Sequence, residues 1–165
     1  MTIDLVRVSA DIVCLCYVIA LGLRLRTGDW NGPPRLWWTA GAVLLVVHVL
    51  VAYGVAHGWS HAAAVEHTRA ETLRQTGWNS GLGIWFNVAT LAIWLMDAGL
   101  LWSTVGRSSG WAIFAQSWLA FMFVQSAIIF PTGAVRWVSL AGGLLLAGLF
   151  VWAKIRPAAT SARVE

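Results

Sequence analysis

All four histidines of this chain fall within one stretch of twenty residues, "HVLVAYGVAHGWSHAAAVEH" at 48–67. Imidazole changes charge near neutral pH and is the commonest nitrogen ligand of transition metals, so chemistry is sought there first. His57 and His61 stand four apart, a spacing that sets two imidazoles side by side on one helix, as in helical zinc sites. The glutamate of the zinc-protease pattern is missing between them. His67 cannot join the pair on a continuous helix; it becomes a third ligand only if the chain turns, at Gly58 or Ser60. Ser60 can cap a new helix over "HAAAVEHTRAETLRQT" that Gly77 closes. On that helix His67 and Glu71 are again four apart. His57, His61, His67 and Glu71 thus form a candidate three- or four-ligand site for Zn or Cu. Interfacial histidines without a ligand, and pH sensing, are the competing readings.

His48 belongs to a different environment. It lies about nine residues inside an apolar segment, roughly 13 Å deep at the helical rise. Asp4, Arg7 and Asp11 follow a spacing of three and then four, which puts them on one stripe of the first segment, with Asp11 near the depth of His48. Charges turned to lipid would be costly, so the stripe is expected to face other helices, with an Asp11–His48 contact. Asn87 and Gln125 fall at a similar level, and Asp97 lies deeper. This buried polar layer reads either as interhelical hydrogen bonding or as a proton, ion, quinone or cofactor site.

The elements that must position these groups follow from composition. Hydrophobic residues make up 59% of the 165-residue chain and charged residues 11%, a balance expected of an integral membrane protein. Apolar stretches at about 3–23, 37–56, 83–104, 111–131 and 134–153 each approach the roughly 20 residues of a membrane-crossing helix. The expected fold is all-α: one polytopic domain over 1–156, a bundle of about five transmembrane helices with a short extracytoplasmic helix between the second and third. A flexible cytoplasmic tail follows at 157–165. Asp4 and Asp11 and the lack of a basic leader argue for a retained first helix over a signal peptide.

Arg24, Arg26 and Arg35, then Arg107, then Lys154, Arg156 and Arg163 mark the cytoplasmic side, which leaves the N-terminus and the 57–82 loop outside. Trp37, Trp38, Trp102, Trp111 and Trp152 near inner ends, with Trp59, Trp78, Trp85 and Trp137 near outer ones, read as two aromatic belts. The net charge of +4 is spread over short loops, so nucleic acid is not an expected partner.

Cys14 and Cys16, two apart on a helix, read as apolar fillers. Phosphate-binding loops, nucleophile elbows and CxxC motifs are absent from the sequence. Every histidine lies between 48 and 67, which disfavours a bis-histidine haem within one subunit. His48 can still ligate one haem or pigment if a partner completes the site. Two functions follow: a membrane protein with a His-rich extracytoplasmic site for Zn or Cu, or an accessory subunit of a larger membrane complex in which His48 meets a partner, haem, quinone or pigment. A homo-oligomer is the other assembly expected. Whether the chain is an enzyme is left open by the residues.

Overall fold

The computed structural model describes residues 2–126 and Gly148, with side chains from Leu5 onward. The described residues are helical, without strands: α1 Thr2–Thr27, α2 Pro33–Val51 continued by a π-helical segment Ala52–Ala56, α3 His61–Thr76, α4 Gly83–Trp102 and α5 Ser109–Val124. Three helices are long and apolar enough to cross a membrane, Leu5–Thr27, Pro33–Ala56 and Gly83–Trp102. These coincide with the first three apolar stretches of the sequence. The stretch at 111–131 is described through residue 126; the stretch at 134–153 and the tail lie outside the described residues.

Local chemistry sets the ends of the elements. Gly28, with φ 85°, closes α1 and donates to the Arg24 carbonyl, as left-handed glycine caps do. Asp29 then accepts from the Asn31 amide at 2.7 Å, and Pro33 and Pro34 open α2, where their missing N–H groups cost nothing. Ser60 accepts from the Ala63 amide and Gly77 ends α3 at φ 77°, the caps its sequence predicts. Ser108 caps α5 in the same way, through the Trp111 amide.

The helices run antiparallel in sequence order. Tyr17 on α1 meets Trp38 on α2 at 5.6 Å between ring centroids, and Trp38 meets Trp94 on α4 at 5.2 Å. Phe123 at the end of α5 stacks on Tyr17 at 3.8 Å. Trp38 and Trp94 are fully buried. Trp94 reaches α2 because Gly41 has no side chain; a Cβ there would stand 2.6 Å from the indole. Outside this aromatic core the surface is apolar, with Leu5, Val8, Leu15, Val43, Phe86 and Met96 among the exposed side chains.

One expectation is corrected by the face that α1 buries. Val13, Cys16, Tyr17 and Ala20 point inward. Asp11 lies about 200° round from Val13 at 3.6 residues per turn, so Asp11 and Arg7 are exposed and turned away from the described helices. The Asp4 side chain lies outside the described residues. Ser9, one turn before Val13, takes the inward position.

Candidate functional site

The bundle has two ends of different character. At one, α1 finishes, α2 begins, α4 finishes and α5 begins. Asp97, on the last turns of α4 and completely buried, is held there by four hydrogen bonds. Trp38 Nε1–H donates to it at 3.0 Å, Trp111 Nε1–H at 2.9 Å, and Arg107 Nη1 at 2.8 and 3.1 Å to its two oxygens. Arg107 also lies over the Trp30 ring at 4.9 Å, and Arg35 lies over Trp102 at 3.9 Å. A buried carboxylate is tolerated only when a cation and further donors replace its water, and here each oxygen has them. Trp38 and Trp111, read from sequence as belt residues, are donors to this acid.

The other end carries the histidines and a cavity of about 310 Å³. Ala10, Val13 and Cys14 of α1 and Leu45 and Val49 of α2 make its apolar wall. Its polar groups come from separate elements: His48 from α2, Tyr53 from the π-helical segment, His57 beyond it, Thr68 from α3, and Asn87 and Thr90 from α4. Asn87 and Val88 line the cavity and are exposed, so it opens along the flank of α4.

Hydrogen bonding fixes what the wall presents. Ser9 Oγ lies 2.8 Å from the Val6 carbonyl and 2.9 Å from His48 Nδ1, and the direction of the Ser9–His48 hydrogen bond follows the His48 tautomer. Thr90 is spent: it donates to the Phe86 carbonyl and accepts from Trp118 Nε1–H. Trp94 is among the residues lining the cavity, but its Nε1–H is sealed behind the wall, without accessible surface and with no hydrogen-bond partner among the described residues. On the wall itself, the Asn87 amide and the His57 ring likewise make no hydrogen bond among the described residues. An unsatisfied buried donor costs about 1–3 kcal/mol, a cost that a bound acceptor removes.

Above the cavity the chain turns sharply. His57 ends the π-helical segment, Gly58 and Trp59 both take left-handed conformations at φ 54° and 63°, and α3 starts at His61. His57 and His61 therefore do not share a helix. His57 instead meets His67, with ring centroids 5.2 Å apart. His61 pairs with Tyr53, hydroxyl to Nδ1 at 3.2 Å, and packs edge-on against Trp85. Glu71 is held by Arg74 and by Gln75, whose contacts push its carboxyl down to about 2. Burial, with nearby His67 adding to it, lowers the His57 pKa, so that imidazole is neutral at pH 7. Among the described residues no group of three or more metal-ligating side chains converges on one point.

Of the expected polar layer, His48 and Asn87 share the cavity, while Asp97 belongs to the opposite end. Gln125, partly buried after α5, does not line it. Tyr53, Ser9 and Trp94 were not anticipated. Trp94 had a signal, since it sits in the middle of an apolar stretch, far from either belt. No protein-family model matches the chain, and neither a curated protein nor a solved structure resembles it at a significant level.

Proposed function

We propose that this is an integral membrane protein of about five transmembrane helices, and that its cavity binds a lipid-soluble ligand of the quinone class. The apolar outer faces and three long apolar helices support the membrane reading, because such a surface in water would drive aggregation. Arginines gathered at the Asp97 end favour that end, with the C-terminus, as cytoplasmic, and the histidine end, with the N-terminus, as extracytoplasmic.

The observation that carries the ligand class is a small apolar cavity with two polar groups at its wall: the Trp94 Nε1–H, buried just behind it without a partner among the described residues, and the His48 imidazole. A quinone carbonyl satisfies the first and a quinol hydroxyl the second, so both redox forms find a partner. The volume of 310 Å³ suits a single substituted ring, and a haem or pigment tetrapyrrole exceeds it. The opening beside Asn87 and Val88 gives an isoprenoid tail a way to the lipid. A ring-sized cavity open towards lipid fits the role of a quinone-holding subunit in a larger membrane redox complex.

The test is titration of the purified protein in nanodiscs with a short-tailed benzoquinone, followed by tryptophan quenching. Saturable quenching is expected, weakened about tenfold in His48→Ala or Trp94→Phe by loss of roughly one hydrogen bond. Linear quenching, equal in wild type and both variants, would refute the pocket. Orientation is checked with a reporter active only outside the cytoplasm, which should work when fused near residue 75 and fail near residue 28.

A further inference from the structure

The histidine pair above the cavity is made by backbone that is costly to hold. A left-handed tryptophan is uncommon, at about 1–2 kcal/mol. Trp59 keeps it through its amide on the Tyr53 carbonyl at 2.8 Å and its indole against Gly54, where a Cβ would stand 3.0 Å away. The π-helical segment before it and the Ser60 cap after it complete the reversal, which returns His67 to His57 ten residues along the chain.

These two imidazoles differ from the others in what their nitrogens do. His48 is bonded to Ser9 and His61 to Tyr53, whereas His57 and His67 make no hydrogen bond among the described residues. Both lie beyond the apolar span that ends at Ala56. Two imidazoles with ring centroids 5.2 Å apart, tilted 56° and free of hydrogen bonds among the described residues, are arranged to share a cation. Glu71, a turn beyond His67, is held elsewhere by Arg74 and Gln75.

We propose that His57 and His67 are the two protein ligands of an open, copper-preferring metal site at the mouth of the cavity, with water in the remaining positions. Imidazole nitrogen suits copper and zinc, and among divalent ions at such a site copper binds more tightly. His61, expected from its spacing to be a ligand, is left out by its partnership with Tyr53. The site shares His57 with the cavity wall but not His67, so His67 separates it from the quinone reading.

Cu²⁺ added to the protein in nanodiscs, read by electron paramagnetic resonance, tests the assignment. The wild type and His61→Ala should give one bound copper coupled to two imidazole nitrogens. His57→Ala and His67→Ala should each give one coupled nitrogen and weaken binding by more than the roughly tenfold that losing an outer-sphere partner costs. His67→Ala should leave quinone quenching unchanged, so the two readings fail separately. An unchanged spectrum in the His57→Ala/His67→Ala double variant, or a wild-type spectrum without nitrogen coupling, would overturn the site.

Discussion

The two ends of the bundle differ in how they hold their most buried polar groups, although Arg35 Nε at the Asp97 end is, like Trp94 Nε1, buried without a partner among the described residues. Around Asp97 every carboxylate oxygen is matched to a donor and a guanidinium balances the charge. Around His48 the wall carries the Asn87 amide and the His57 ring without hydrogen bonds among the described residues, and behind it the Trp94 Nε1–H is unpartnered. A closed network locks helices together; an incomplete one costs stability and is retained where something else completes it. The Asp97 end is therefore the structural clasp and the histidine end the working surface.

The sharpest way to break the comparison is to remove the clasp. Asp97→Ala leaves Arg107 and two indole N–H groups without their acceptor and should destabilise the detergent-solubilised protein by about 3–5 kcal/mol, measured by chemical unfolding. A loss no larger than that of His48→Ala would erase the distinction. Next is Gly41→Ala, whose new methyl must displace the Trp94 indole. Overpacking of this kind costs about 1–3 kcal/mol, and it should also abolish quinone quenching, since the displaced indole is part of the wall.

A smaller effect is expected from Trp94→Phe, which removes a donor that nothing satisfies. Its cost should stay well below that of Asp97→Ala, while ligand binding falls. The smallest concerns α3. Glu71 titrates below its ordinary value because of Arg74 and Gln75, so its contribution is complete above about pH 4.5 and is lost as pH falls towards about 2. Hydrogen exchange in α3 should therefore quicken over that window in wild type and stay flat in Glu71→Gln.

How much of this was legible depended on the range of the interaction. Apolar length located α1, α2 and α4, and the Ser60 and Gly77 caps gave α3 to the residue, because caps are local chemistry. The turn at Gly58–Trp59 was legible as the condition for His67 to reach His57; what the spacing hid was that the same turn takes His61 off the helix of His57. The partners of Asp97 were hidden for a related reason. Trp38 lies 59 residues before it, and a tryptophan near a segment end reads equally as a lipid anchor or as a donor to a buried acid. On α1 the charged stripe was visible but its direction was not; that is set by Val13, Tyr17 and Ala20, which choose the buried face.

The central claim rests on one indole. In protein labelled with ¹⁵N at tryptophan and held in nanodiscs, the Nε1–H resonances of Trp94, Trp38 and Trp111 can be assigned by their disappearance in the respective phenylalanine variants. On addition of a short-tailed benzoquinone the Trp94 resonance should move to the position of a hydrogen-bonded indole, while those of Trp38 and Trp111, already bound to Asp97, stay where they are. A Trp94 resonance that does not respond at saturating quinone would contradict the account.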